Sequence, residues 1–231
     1  MNLVFLQMNI QVGRLNKMLM ITQTLDNYIE VLIHKGPEIT AARKKILNSL
    51  VEYISEKTNS GLPVNLLFIC THNSRRSHLA QIWAQVAACY TKVPMIKCYS
   101  GGTEVTAFNS SAIAALERSG MKIQLQTPGA NPVYQIFYAE TEAPIIAFSK
   151  TYFAPGNPRA EFAAVMTCSD ADLACPHVAG AESRFPLNYN DPKIADGTPQ
   201  EAAVYDQRCR EIGTEMFYVF ERVASIGAGA F

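Results

Sequence analysis

The sequence predicts an α/β fold, with a mainly parallel sheet between helices on both faces, in three layers. From Val64 onward, short apolar and β-branched runs alternate with segments of helical periodicity, as expected when crossover helices join parallel strands. Two predicted strands, 64–69 and 162–167, run directly into Cys70 and Cys168. Ligands of such folds bind at the carboxyl ends of the strands. We therefore expect the two cysteines to share one crevice.

The first part of the chain, residues 1–62, is predicted to be a helical extension of a main domain at 63–231. Apolar residues recur at helical spacing over 25–33 and again over 39–54, with a break at Gly36 between them. The extension could be a dimer interface, a lid or a docking surface, and a homodimer through these helices is one expectation.

The main domain adds an inserted β-hairpin to the alternating pattern. Two runs typical of strands lie at 133–139 and 145–152, joined near Glu142. The last helix opens at Thr198 with a capping-box pattern and proline at the first helical position. The other predicted elements are a helix at 79–90, a strand at 95–99 and a helix near 110–119 that is capped by Asn109 or Ser110.

Composition excludes several classes of function. A chain of 231 residues, 48% of them hydrophobic, can bury a full core, and its formal net charge of zero gives no electrostatic case for nucleic acid or an acidic membrane surface. No apolar run is long enough to span a bilayer. The apolar stretch Leu3 to Leu6 lacks the features of a signal peptide. We expect a cytoplasmic protein, and Met8, Met18 and Met20 leave open a downstream start.

The segment from Cys70 to Ser77 carries the clearest chemical signal. Between a predicted strand and a predicted helix, a cysteine followed six positions later by arginine and then serine can curl so that backbone N–H groups point inward around an oxyanion. The same positive field favours the thiolate of Cys70, and Ser77 can offer its hydroxyl to the sulfur. Arg75 is either a further cation beside the anion or a solvated loop charge. The predicted oxyanion-binding residues are Thr71, His72, Asn73, Ser74, Arg75 and Arg76.

This loop is similar to the signature of low-molecular-weight protein tyrosine phosphatases and of the thioredoxin-coupled arsenate reductases that share their fold. Farther along, Cys168 and Cys175 enclose six residues, as in the redox segment of those reductases, and Asp191-Pro192 resembles the Asp-Pro that supplies the general acid. The three motifs follow one another along the chain in the same order as in that family. The resemblance covers most of the chain from Val64 onward, without the N-terminal helices and the hairpin, and it implies the low-molecular-weight phosphatase-like fold.

The resemblance also implies a mechanism. Cys70 attacks arsenate held by the loop while Asp191 protonates the departing oxygen. Cys168 then attacks the Cys70 sulfur so that arsenite leaves, and Cys175 resolves the mixed disulfide. A thioredoxin-like dithiol reduces the resulting Cys168–Cys175 bridge. No cofactor and no metal are expected.

Each assignment has a plainer alternative. Cys70 could be a buried structural thiol, Cys168 and Cys175 could be core residues or metal ligands, and Asp191 could be a turn residue. For the whole protein, one alternative is a hydrolase of phosphotyrosine or another phosphate monoester. Another is a module that senses an oxyanion or the redox state.

Departures from the family pattern sharpen these expectations. His72 stands where the family usually has glycine, so we expect either an unusual φ there or a side chain that narrows the mouth of the loop. The aromatic residue that usually follows Asp-Pro is replaced by Lys193, which disfavours phosphotyrosine. Some reductases of this type hold potassium. Here Asn73 and Ser100 match two of its ligands, whereas Gln81 replaces a glutamate.

Overall fold

The computed structural model of the protein describes residue 20, residues 22–174 and residues 177–228. Cys175 lies outside these residues, as do Met8, Met18 and the stretch 3–6. The helices are α1 (Gln23–Lys35), α2 (Ala41–Asn59), α3 (Arg76–Tyr90), α4 (Ser110–Arg118), α5 (Ser169–Ala174) and α6 (Glu201–Ala228). The strands are β1 (Val64–Cys70), β2 (Ile96–Gly102), β3 (Lys122–Thr127), β4 (Val133–Phe137), β5 (Ile145–Ala147), β6 (Phe162–Met166) and β7 (Ala181–Pro186), and 3-10 turns span Gly36–Glu38 and Pro192–Ala195.

The central sheet has the strand order β2-β1-β6-β7, and each neighbouring pair is parallel. Cys70 at the end of β1 is in register with Gly102 at the end of β2, and Ile69 with Met166 at the end of β6. All four carboxyl ends therefore open at one edge. The predicted α/β fold with a parallel sheet is confirmed.

The two faces of β1 pack into different cores. Val64, Leu66 and Phe68 belong to the larger core, which includes residues of α1, α2, α3, α4 and α6. Leu67 and Ile69 face the other way, into a smaller core that includes residues of β6 and α5. Helices thus cover both faces, as predicted, but unevenly. Successive strand residues point to opposite faces, and this strand is apolar on both because both faces are covered.

The N-terminal helices are local structures that pack onto the main domain. The hydroxyl of Thr22 accepts a hydrogen bond from Leu25 N at 3.0 Å, and that of Thr40 accepts one from Arg43 N at 3.3 Å, so threonine caps each helix. Their apolar stripes join the larger core, and Leu25, Ile29, Leu32, Leu47, Leu50 and Ile54 are fully buried. Because this chain covers the stripes itself, the expected homodimer through them is not supported.

The inserted hairpin is present, with strands shorter than the predicted 133–139 and 145–152. β4 and β5 pair antiparallel, with Tyr134 opposite Ala147, and β3 pairs with β4 as a third strand that the sequence analysis missed. After β5 the chain reaches the main sheet: Gly102 N donates to Lys150 O at 2.8 Å, and Tyr152 N donates to Gly102 O at 2.9 Å. The insertion thereby borders the carboxyl end of the sheet.

The start of α6 differs from the predicted capping box. The hydroxyl of Thr198 donates to Ala195 O at 2.7 Å, so it serves the preceding 3-10 turn. The carboxylate of Glu201 accepts from Gly197 N at 2.8 Å and from the hydroxyl of Ser111. The helix therefore begins at Glu201 without the threonine cap. Of the described helices, none is long and apolar enough to cross a membrane.

Candidate active site

The loop between β1 and α3 turns at Asn73. This residue is fully buried and has a φ of 44°, in the left-handed region that asparagine tolerates better than most residues. The expectation that His72 takes the unusual φ is wrong, because among the described residues of the loop only Asn73 has a positive φ. A left-handed residue one position later makes the turn without a glycine.

A chain of hydrogen bonds leads from the insertion to Cys70. Lys150 N donates to Asn73 Oδ1 at 2.9 Å, which fixes the orientation of the Asn73 amide. Asn73 Nδ2 then donates to Ser77 Oγ at 2.9 Å. Since Ser77 Oγ is the acceptor there, its hydrogen can point to Cys70 Sγ, 3.1 Å away. A hydroxyl that donates to sulfur stabilises negative charge on it.

Three carbonyl groups of the loop accept hydrogen bonds from residues outside it. Thr71 O accepts from Glu104 N at 2.8 Å, His72 O from Ser149 Oγ at 2.9 Å, and Ser74 O from Asn109 N at 3.0 Å. In a trans peptide the N–H points opposite to the carbonyl. The N–H groups that follow these three carbonyls therefore point away from the outer partners, toward the inside of the loop, where they can donate to an anion.

Two arginines follow one another in the loop and have different partners. Arg76 is nearly buried, and its Nη1 donates to Tyr189 O at 3.0 Å while its Nη2 donates to Asp191 Oδ2 at 2.6 Å. Arg75 Nε donates to the hydroxyl of Tyr205 at 2.5 Å, and its Nη2 donates to Asp196 at 2.7 Å. Arg75 is thus held by α6 and the turn before it, and the solvated-charge alternative does not describe it.

Asp191 serves both a turn and the site. Its Oδ1 accepts from Lys193 N at 3.0 Å and caps the 3-10 turn, as the plainer interpretation proposed. Its Oδ2 faces Arg76. The side chain is 36% exposed, so a substrate can reach the carboxyl that borders the loop. His72 is also partly exposed, with Nε2 3.4 Å from a Glu104 carboxylate oxygen.

Cys168 lies beside the loop. It is fully buried in the smaller core that also contains Cys70. Its Sγ accepts from Ala171 N at 3.4 Å, in the first turn of α5, and lies 3.5 Å from Thr71 Oγ1. The strand ends thus place Cys168 next to Thr71, the residue that follows Cys70, as the sequence argument expected.

The remaining described cysteines are packing residues. Burial raises the pKa of Cys89 to about 11 and that of Cys209 to about 12. It also raises the pKa of Cys98, which is fully enclosed. These thiols stay protonated at neutral pH, and a protonated thiol is a poor nucleophile.

The residues that the resemblance relates to potassium have partners within the chain. Asn73 Oδ1 accepts from Lys150 N at 2.9 Å, and Ser100 Oγ lies 3.3 Å from His78 Nδ1. Gln81 Nε2 donates to Cys98 O at 3.0 Å. Sequence reasoning missed Lys150, whose pKa burial lowers to about 8. The insertion that carries it lies outside the family pattern, so no motif pointed to it.

Comparisons with known proteins found similar sequences and similar folds. No protein-family model matches the chain. An arsenate reductase of Bacillus subtilis (strain 168) is 29% identical over 153 residues, which span 65% of this chain and 91% of that protein. An arsenate reductase of Bacillus licheniformis is 28% identical over 149 residues, spanning 64% of this chain and 88% of that protein.

Two solved structures are also similar. A low-molecular-weight phosphotyrosine phosphatase from Vibrio cholerae O395 has a TM-score of 0.48 and 13% identity over 73% of this chain and 99% of its own. A thioredoxin-dependent arsenate reductase from Corynebacterium glutamicum has a TM-score of 0.35 and 16% identity over 82% of this chain and 81% of its own. The sequence matches span most of the length of the Bacillus proteins, and over those residues the chain is similar to arsenate reductases.

Proposed function

We propose that the protein is an arsenate reductase with Cys70 as its nucleophile and a relay through Cys168 and Cys175 that a thioredoxin-like dithiol regenerates. One observation carries the proposal: Cys168 Sγ lies 3.5 Å from Thr71 Oγ1, beside the nucleophile loop and at the start of the helix that leads toward Cys175. A phosphatase needs no thiol there. The curated relatives named as arsenate reductases support the same choice.

The first step is a displacement at arsenic. Arsenate sits within the loop, where inward N–H groups and the Arg76 fork neutralise its charge. The Cys70 thiolate attacks arsenic, and one arsenate oxygen leaves as water after it takes the proton of the Asp191 carboxyl. The product is an arsenate thioester of Cys70, with arsenic still in its +5 state. Ser77 stabilises the thiolate before the attack.

The second step moves the electrons. The Cys168 thiolate attacks Cys70 Sγ, the sulfur–arsenic bond breaks, and its electron pair stays on arsenic, which leaves as arsenite. Cys175 then attacks Cys168, releases the Cys70 thiolate and leaves a Cys168–Cys175 disulfide. An external dithiol then reduces the Cys168–Cys175 disulfide by thiol–disulfide exchange. The helix α5 is only six residues long and leaves Leu173 80% exposed, so we expect this short segment to unwind when the second thiol attacks the first.

A single-turnover thiol count tests the proposal. Reduced protein is mixed with arsenate or with phosphate, without external reductant, and bridges are mapped by mass spectrometry after digestion. We expect loss of two thiols with arsenate alone and a Cys168–Cys175 bridge. In Cys175→Ser, the oxidation should stop at Cys70–Cys168.

Other outcomes would select the alternatives. Turnover of an aryl phosphate that survives Cys175→Ser, without an arsenate-dependent bridge, would make the protein a phosphate-ester hydrolase. Phosphate binding with neither reaction would make it a sensing module. In either case the relay would be wrong.

A further inference from the structure

The N-terminal extension is tied to α6 by a buried ion pair. Arg43 of α2 donates from Nε to one carboxylate oxygen of Glu215 at 2.7 Å and from Nη2 to the other at 2.8 Å. Glu215 is 4% exposed. Such two-point pairing fixes both side chains in one geometry, and removing one partner of a buried pair leaves the other charge uncompensated.

The same carboxylate holds Tyr189. The Tyr189 hydroxyl donates to Glu215 Oε2 at 2.7 Å, and the Arg43 guanidinium lies 4.9 Å from the centre of the Tyr189 ring. Burial, reinforced by the charge of Glu215, raises the pKa of Tyr189 well above its ordinary value, so the hydroxyl remains a donor. Arg43 and Glu215 together therefore clamp the ring.

Tyr189 is also anchored through its backbone to both halves of the candidate site. Its N–H donates to Thr167 O at 3.2 Å, directly before Cys168. Its carbonyl accepts from Arg76 Nη1 at 3.0 Å, and two residues later Asp191 accepts from Arg76 Nη2 at 2.6 Å. The position of Tyr189 thus sets where Asp191 meets the arginine.

We propose that Arg43 is a positioning residue for the general acid: acting through Glu215 and Tyr189, it holds the Asp191 loop against Arg76. This assigns the N-terminal extension a part in catalysis, beyond covering the core. The acid role of Asp191 rests on the proposed function, whereas the placement of its loop does not.

The test separates placement from chemistry. The variant Arg43→Ala is compared with Arg118→Ala, which removes another arginine bound to α6. Arg118 Nη2 donates to Asp206 Oδ1 at 2.7 Å, and within the described part of the chain the Arg118 side chain has no hydrogen bond to residues 187–196. Hydrogen exchange is followed for peptides covering 187–196. We expect Arg43→Ala to speed exchange there by about tenfold or more, as a locally loosened segment does, whereas Arg118→Ala leaves it unchanged.

The chemical readout is the rate of arsenate-dependent thiol loss. We expect Arg43→Ala to slow its maximal rate by about 100-fold, the scale of a misplaced catalytic group. The arsenate concentration at half-maximal rate and the alkylation of Cys70 by iodoacetamide should change by no more than about threefold, because the loop itself is intact. Arg43→Lys, which keeps the charge but not the fork, should recover part of the rate.

A purely structural role for Arg43 predicts another pattern. Arg43→Ala would then lose melting temperature, but the exchange of 187–196 would rise no more in Arg43→Ala than in Arg118→Ala; that result would overturn the proposal. If the unmodified protein shows no arsenate-dependent thiol loss, the proposed function fails. The exchange comparison then still decides whether Arg43 places the loop.

Discussion

The guanidinium of Arg76 and the carboxylate of Asp191 are joined by a hydrogen bond of 2.6 Å between Nη2 and Oδ2. Arg76 lies in the loop that follows Cys70 and begins α3, while Asp191 caps a turn more than a hundred residues later. The fork is rigid and nearly buried, so the two groups act as one unit. Substitutions at either should therefore affect the same step.

The Arg76→Lys variant tests whether the fork, rather than the charge, is needed. A lysine ammonium is a point charge that cannot reproduce the planar fork. We expect the rate of arsenate-dependent thiol loss to fall by about 100-fold or more, as when an oxyanion donor is removed. The matched control, Arg118→Lys, changes a surface ion pair and should leave the rate unaltered. A loss below about threefold at position 76 would exclude Arg76 as an oxyanion holder.

The Asp191→Asn variant tests the acid. The amide keeps an oxygen that can accept from Lys193 N and cap the turn, but it has no carboxyl proton to give. We expect the single-turnover rate to fall by about 100- to 1,000-fold, with a melting temperature close to that of the unmodified protein. Asp206→Asn, at a half-buried position of α6 that also pairs with an arginine, is the control. An unchanged rate would mean that another group protonates the leaving oxygen.

The Gly102→Ala variant tests how closely the Cys70 loop packs against the end of β2. A Cβ at Gly102 would lie 2.6 Å from Thr71 O and 2.7 Å from Asn73 N, both backbone atoms of the loop. The loop must therefore shift, at a cost of about 1–3 kcal/mol, and arsenate-dependent thiol loss should slow. Gly36→Ala is the control, because a Cβ there meets nothing within 4 Å. Urea unfolding and the single-turnover rate measure both effects. If Gly102→Ala and the unmodified protein had the same free energy of unfolding, the loop would accommodate the added methyl group without strain.

Much of the fold could be predicted because its signals are local. The buried strand β6 is a continuous apolar run, β1 is apolar except for Asn65, and α1, α2 and α6 have clear helical periodicity. β3 was missed although Lys122–Thr127 alternates, since most of its residues are exposed and only pairing with β4 settles it. The predicted threonine cap of α6 was wrong because the Thr198 hydroxyl donates to Ala195 O in a 3-10 turn that the sequence did not indicate.

The candidate site likewise has features with a local sequence signal and features that only the packing of distant elements creates. The Cys70 loop could be identified because its donors are consecutive in sequence, and Cys168 because strand ends meet at one edge. The partners of Arg76 and the link from Arg43 to Glu215, 172 residues apart, depend on packing between remote elements. No local pattern encodes such pairs.

Lys150 makes stability depend on pH in a definite direction. Burial lowers its pKa from 10.5 to about 8, and its ammonium lies 4.7 Å from the centre of the Phe148 ring. Between those two values the unfolded chain binds more protons than the folded one, so stability rises with pH. Below the folded pKa the lysine is charged in both states, and the cost of burying the charge is fully present. His78 nearby stays neutral throughout, because burial holds its pKa well below its ordinary value.

The Lys150→Met variant should remove this dependence while keeping the backbone bond to Asn73. Urea unfolding of both proteins at about pH 7.5 and about pH 9.5 isolates the lysine, since other groups cancel in the difference. We expect the unmodified protein to gain about 1–2 kcal/mol relative to the variant over this interval. Lys45→Met, at an exposed position of α2, should show no such gain. If the difference between Lys150→Met and the unmodified protein does not change with pH, the buried ammonium is solvated in solution.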